Sequence, residues 1–246
     1  MNNRQKGNRY NAPLCQTYRF TQAVHRHCIA NIIMLSPSSS NDDNKDILLS
    51  EIEVLFPNVI QDEIETAEFL TAARGIVRIL DKFGKVFAAV KHDIEGNIDK
   101  LYTKYATDKE DNATLQDIIL TENQTETDFI ATESLMWLTR DLHMILLFFE
   151  KIVQDAKTGT PTEDLAAFLQ MSYKETLEPY DGWMAQLLFN LLSRLAPTRS
   201  QLLQALAVKR TDDSVTIINR LEIYSIRLRT NVSAIQSFYK IYNLLQ

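Results

Sequence analysis

The stretch from Leu135 to Val153 constrains the fold more than any other part of the chain. It carries Trp137, Leu138, Leu142, Met144, Ile145, Leu146, Leu147, Phe148, Phe149, Ile152 and Val153, so a helix drawn through it is apolar nearly all round. Such a helix has to be sandwiched between two layers of other elements. The same pattern also suits a helix that lines an apolar cavity for hydrocarbon chains, and periodicity alone does not separate the two. Its neighbours read as helices as well. Only six Gly and six Pro interrupt 246 residues, and stretches rich in Leu, Ala, Glu, Lys and Gln alternate with short polar breaks. The periodicity predicts helices over roughly 62–82, 87–107, 113–122, 129–156, 162–178, 183–195, 199–208 and 214–244. Thr160-Pro161-Thr162-Glu163 supplies a helix start, Pro179 ends a run, and Pro197-Thr198 precedes another start. There is no internal repeat, and the expected fold is all-α.

Charge divides the chain in two. The formal net charge is −6, yet no Asp or Glu occurs before Asp42, whereas Arg4, Lys6, Arg9, Arg19 and Arg26 all do. Residues 36–44 are Ser-, Asn- and Asp-rich, which reads as a linker, so residues 1–45 form a basic leader and residues 46–246 the folded domain. An acidic domain argues against nucleic-acid partners, which need a basic face to neutralise phosphates. Cys15 and Cys28 both lie in the leader and fit no C-x-x-C spacing, which favours a reducing, cytoplasmic setting. The acid-free leader also has the composition of an organelle transit peptide. Its longest apolar run, Cys28 to Leu35, is far shorter than the roughly 20 residues that span a bilayer. His25 and His27 beside Cys28 lack a further ligand, so no metal site is expected. The N-x-S/T strings at Asn112, Asn123 and Asn231 are best explained by chance.

Two polar groups stand out within the domain. Asp93, Asn97 and Lys100 are spaced i, i+4, i+7 and share one helical face. Asp accepts hydrogen bonds, Asn both donates and accepts, and Lys only donates, so the trio can read the hydroxyls of a sugar or an amide; the plain alternative is a solvated helix face. Gly96, inside that helix, costs about 1 kcal/mol relative to Ala and hints at a close approach to the backbone. On the apolar helix, Trp137 and Arg140 stand three apart. A tryptophan there is ordinarily core, but its flat face also suits a sugar ring, and Arg140 calls for a carboxylate such as Asp93 or Asp181.

Three strings in order and spacing resemble the motif series of the glycolipid transfer proteins. They are Asp93-Ile94-Glu95-Gly96-Asn97-Ile98-Asp99-Lys100, then Leu135-Met136-Trp137-Leu138-Thr139-Arg140, then Tyr173 with Tyr180-Asp181-Gly182-Trp183. The resemblance covers roughly residue 64 to the C-terminus. It implies a two-layer helical sandwich with an internal apolar pocket, which binds a glycosphingolipid and moves it between membranes without a cofactor or a chemical step. Carried over by position, Asp93 and Asn97 hydrogen-bond headgroup and amide, Lys100 reaches sugar hydroxyls and Trp137 stacks on the first sugar. Arg140 and Tyr173 support the site, and Trp183 meets the membrane. Asp181 departs from the family, which has a histidine there; an ionised Asp accepts hydrogen bonds but cannot donate one to an amide carbonyl. Members that bind ceramide-1-phosphate place basic residues at the positions of Glu133 and Trp137, so an uncharged sugar headgroup is expected here.

No nucleophile with its base, metal cluster or phosphate loop accompanies these residues, so an enzyme is not expected. A helical adaptor or a lipid sensor that binds without transferring is the competing class, distinguished by whether lipid copurifies and moves between vesicles. A monomer is expected, touching membranes transiently through Trp183 and nearby basic residues such as Arg199.

Overall fold

The periodicity that predicts helices is realised as eight α-helices among the described residues. The computed structural model describes residues 51–83, 87–125, 128–209 and 211–244. The leader, the linker and the residues singled out in them lie outside the described residues. The helices are α1 (Thr66–Lys82), α2 (Ala88–Thr107), α3 (Leu115–Thr125), α4 (Ile130–Ala156), α5 (Ala166–Thr176), α6 (Trp183–Leu192), α7 (Arg199–Leu206) and α8 (Ser214–Ile241), with 3-10 turns at Glu51–Glu53 and Ser193–Leu195. Together they form a two-layer helical sandwich.

Helix α4 is the apolar segment, and it is central. It packs against α2, α3, α5 and α8, and buries Leu135, Leu138, Leu142, Ile145, Phe149 and Ile152 among others. Each such side chain contributes about 2 kcal/mol by leaving water. Helix α1 packs on α2, and the first 3-10 turn bridges α1 and α8. Phe56 from the adjoining segment meets Phe69 and Tyr224 edge to face, with centroids 5.5 and 5.9 Å apart.

The start of α4 is secured from a distance. Phe129 precedes the helix and offers no side-chain cap. Glu122, buried in α3, accepts instead from the amides of Ala131 (2.8 Å) and Thr132 (2.7 Å) and from the Thr132 hydroxyl (2.7 Å). These amides are among the four donors that a helix N-terminus leaves unpaired, and the carboxylate also complements the helix dipole. Tyr239 of α8 donates to the Thr132 carbonyl at 2.6 Å, and Asn123 donates to the Thr132 hydroxyl at 3.0 Å.

Two helices start later than the periodicity suggests. Gln61 and Asp62 take left-handed backbone angles (φ 54° and 66°) in a turn closed by an Ile60–Glu63 bridge, so α1 begins only at Thr66, capped by Glu65. Residues 162–164 spend their polar groups elsewhere: the Thr162 amide donates to Asp155, and the Glu163 carbonyl accepts from the Arg199 amide. Helix α5 therefore begins at Ala166.

Arg199 corrects an expectation. It is only 5% exposed, forms an ion pair with Asp155 and donates to the Thr162 carbonyl at 2.7 Å, so it ties α7 to the end of α4 and offers no charge to a membrane. The side-chain amides of Asn112 and Asn231 are buried and donate to main-chain carbonyls, which keeps both out of reach of a glycosylating enzyme in the folded chain.

Candidate functional site

In α2 the apolar residues Ile94, Ile98 and Leu101 are fully buried and fix which way the helix faces. Asp93 and Asn97 consequently sit half-buried beside that seam, and Lys100 emerges into solvent. Lys100 is close enough to act on Glu133 in the opening turns of α4, one turn before Trp137. Burial pushes the Glu133 carboxyl above the usual carboxylate range, the Lys100 ammonium pulls it back down, and Glu122 pushes it up again. Nothing lies within 4 Å of where a Cβ on Gly96 would stand, so no neighbour in the fold requires glycine there. None of the described residues makes the expected close approach. Replacing Gly96 by Ala is expected to raise stability by about 1 kcal/mol, read as a higher urea midpoint at unchanged slope.

Helix α4 presents Trp137 and Arg140 at one end of the sandwich, where the segment between α5 and α6 meets them. The Arg140 guanidinium lies 3.6 Å from the centroid of Tyr180 and 4.6 Å from that of Trp137, and the two rings stand edge to face at 6.5 Å and 83°. Cation and rings are pulled together by the ring quadrupoles. Burial lowers the Arg140 pKa, while Tyr180, Asp141 and Asp181 favour its charge in that order. The company sought for Arg140 is thus mainly aromatic, with Asp181 among the contributing carboxylates. Tyr180 was visible in the sequence as part of the Tyr180-Asp181-Gly182-Trp183 string, but nothing local shows that its ring meets a helix turn some forty residues upstream.

Asp181 accepts a hydrogen bond from the Tyr173 hydroxyl at 2.6 Å. Burial first, then this bond, pushes the Tyr173 phenol well above its ordinary pKa, so it remains a donor at neutral pH. The Tyr173 ring stacks on Phe189 of α6, with 3.8 Å between centroids and 10° between planes. The structure therefore brings Trp137, Arg140, Asp181 and Tyr173 into one cluster and adds Tyr180 to it. Trp183 stands apart, 71% exposed at the start of α6.

Helix α6 is apolar yet buries none of its residues. Trp183, Met184, Leu187 and Leu191 are exposed on it, and Leu195 follows in the adjoining turn. An apolar surface of this kind marks a docking face. No described helix is long and apolar enough to cross a membrane.

Between these elements lies a cavity lined only by apolar side chains, among them Ile76, Leu80, Phe87, Met144, Phe148 and Phe189. Its volume is about 30 Å³, enough for roughly one water and far too little for a hydrocarbon chain. Phe189 belongs both to this lining and to the stack on Tyr173.

Residues 64–208 match the family model of the glycolipid transfer protein. The mouse pleckstrin homology domain-containing family A member 8 is 32% identical over 224 residues, covering 85% of this chain and 42% of that protein. The zebrafish (Danio rerio) protein of that name is 34% identical over 215 residues, covering 82% and 38%. The chain thus spans about two-fifths of the length of these relatives. Among solved structures, FAPP2, described as selecting simple glycosphingolipids with the GLTP fold, matches with a TM-score of 0.69 at 30% identity, covering 80% of this chain and 94% of that one. The fungal glycolipid transfer protein HET-C2 matches at 0.66 and 27%, covering 78% and 93%. The mouse ceramide-1-phosphate transfer protein matches at 0.69 but only 18% identity, covering 81% and 97%, which shows a shared fold alone.

Proposed function

The chain belongs to the glycolipid transfer protein family, and on that premise we propose that it carries a glycosphingolipid, such as a glycosylceramide, between membranes without chemical change. One observation supports this reading above the others: a polar and aromatic cluster of headgroup size is joined through Tyr173 and Phe189 to a wholly apolar cavity. A sugar-bearing sphingolipid needs both halves, and so does no soluble metabolite. Trp137 offers the first sugar a flat apolar face, held in place by Arg140 and Tyr180. Asp93 and Asn97 hydrogen-bond the headgroup and the amide, Lys100 reaches hydroxyls, and Asp181 accepts a hydrogen bond from the ligand. The hydrocarbon chains enter by parting the walls of the cavity, and the protein acts as a monomer.

An uncharged headgroup is favoured over a phosphate. Glu133 and Asp181 place carboxylates where a phosphate would be repelled, and Arg140 is already engaged by two rings. The test is transfer of fluorescent lipids between phosphatidylcholine vesicles by the full chain. Selective movement of galactosylceramide or glucosylceramide is expected; selective movement of ceramide-1-phosphate would replace the headgroup reading, and binding without movement would make the protein a sensor.

Helix α6 serves as the membrane contact. Trp183→Ala combined with Leu187→Ser is expected to weaken association with phosphatidylcholine vesicles about tenfold, through lost apolar insertion. Both side chains are largely exposed, so the thermal midpoint should stay within a degree or two. Sedimentation with vesicles alongside a melting curve checks both statements.

A further inference from the structure

Tyr173 links the polar cluster around Asp181 to the wall of the apolar cavity. Its hydroxyl donates to Asp181, next to the Arg140 cluster, and its ring lies flat on Phe189, which lines the hydrocarbon cavity. The cavity holds only about 30 Å³, so one wall has to move before a chain can enter. Helix α6 is suited to moving. It buries no residue, and its main packing is against the 3-10 turn that follows it. Displacing it uncovers chiefly the Tyr173 ring and the cavity residues that Phe189 covers, because α6 buries none of its own. What holds α6 in place is the Phe189 stack together with Gln186, whose amide donates to the carbonyls of Glu178 at 3.0 Å and Asp181 at 2.9 Å. The stack and the Gln186 bonds both lead to Asp181.

We propose that the Tyr173 hydroxyl and the Asp181 carboxylate form a latch that keeps Phe189 and α6 against the hydrocarbon cavity, and that a headgroup donating a hydrogen bond to Asp181 releases it. The inference rests on the carrier reading for the identity of the ligand, although the latch itself acts on access by any hydrocarbon. A carboxylate only accepts, and the Tyr173 phenol, kept protonated by its burial, only donates to it. A ligand hydroxyl or amide N–H competes for the same oxygens. Once Tyr173 loses its partner, its ring is no longer held parallel to Phe189, and the wall of the cavity is free to part. A lipid whose headgroup offers no donor at this point leaves the latch shut. Asp181 thereby ties recognition of the headgroup to opening of the cavity, which a plain docking site does not do. This also gives Asp181 a role of its own.

The test measures access to the cavity without using the natural ligand. The full chain, its Tyr173→Phe variant and its Asp181→Ala variant are titrated with diphenylhexatriene, a hydrocarbon fluorophore that has no headgroup. Tyr173→Phe keeps the ring and its stack while removing the donor; Asp181→Ala removes the acceptor from a half-buried position. Each is expected to bind the fluorophore about tenfold more tightly than the unsubstituted chain, the equivalent of about 1.4 kcal/mol. Unchanged circular dichroism and a cooperative melt show that the gain comes from a folded protein. Equal affinity in all three, or a gain in one variant only, overturns the latch. Galactosylceramide transfer by the unsubstituted chain, measured in parallel, reports on the carrier reading separately: transfer with no change in fluorophore affinity removes the latch and keeps the carrier.

Discussion

Replacing Glu122 by Ala is expected to lower the stability of the fold by about 4 kcal/mol, the largest loss anticipated for a single substitution outside the apolar core. The side chain is 1% exposed and accepts three hydrogen bonds, two from the first amides of α4 and one from the Thr132 hydroxyl. Removing the acceptor leaves those donors facing an apolar hole, and a buried donor left unpaired costs about 1–3 kcal/mol. The loss should appear as a lower urea midpoint with little change in slope, because the surface exposed on unfolding is nearly the same. In a domain of this size it corresponds to a fall of roughly 10 °C in the thermal midpoint.

Glu122→Gln separates charge from shape. The amide keeps one acceptor oxygen but turns an NH₂ toward donors, so about half the loss is expected to remain. A loss below about 1 kcal/mol in Glu122→Ala would mean that water replaces the carboxylate at the start of α4. The consequence reaches function, since α4 carries Glu133, Trp137 and Arg140 within its first three turns. A helix whose start frays cannot hold an indole and a guanidinium in register with a tyrosine from another segment.

How far the sequence reveals such features depends on the distance over which they act. The apolar girdle from Leu135 to Val153 is local, and it identifies the central helix directly. The same holds for Thr198, whose side chain caps α7 in a capping box with Gln201 three residues on. Glu122 is invisible by the same measure: it reads as an ordinary acidic residue near a helix end, and only the return of the chain as α4 turns it into a cap. Arg199 is misread for a related reason. Its neighbours are Thr198 and Ser200, which suggest a surface, whereas its ion-pair partner Asp155 lies on a different helix. The candidate headgroup residues divide in the same way. Trp137 with Arg140, and Asp93 with Asn97 and Lys100, are pairings set by helical spacing and can be picked out in one dimension. The contacts of Tyr180 with Arg140, and of Tyr173 with Asp181 and Phe189, depend on how the segment after α5 folds back. Asp181 accordingly looks like a defect in the sequence, and like a bonded component in the structure.

Trp137→Ala is expected to reduce galactosylceramide transfer at least about 100-fold, the equivalent of roughly 2.7 kcal/mol in binding, while the chain stays folded. The size of the effect comes from the cluster as well as from the lost sugar platform. Trp137 is one of two rings that hold the Arg140 guanidinium, and its edge-to-face contact helps fix Tyr180. Without the indole, Arg140 retains a single ring and the burial that disfavours its charge has less to offset it. Its surroundings then reorganise beside Asp181, within the proposed headgroup site. Trp137→Phe keeps an aromatic face with less area and should lose no more than about tenfold. Stability should change less than for a buried aromatic, because Trp137 is half-buried and lies outside the apolar core of α4. Melting curves and vesicle transfer measured on the same preparations separate the two effects. Full transfer by Trp137→Ala would reduce Trp137 to a packing residue and move the sugar platform elsewhere in the cluster, with the exposed ring of Tyr180 as the remaining aromatic surface beside Arg140.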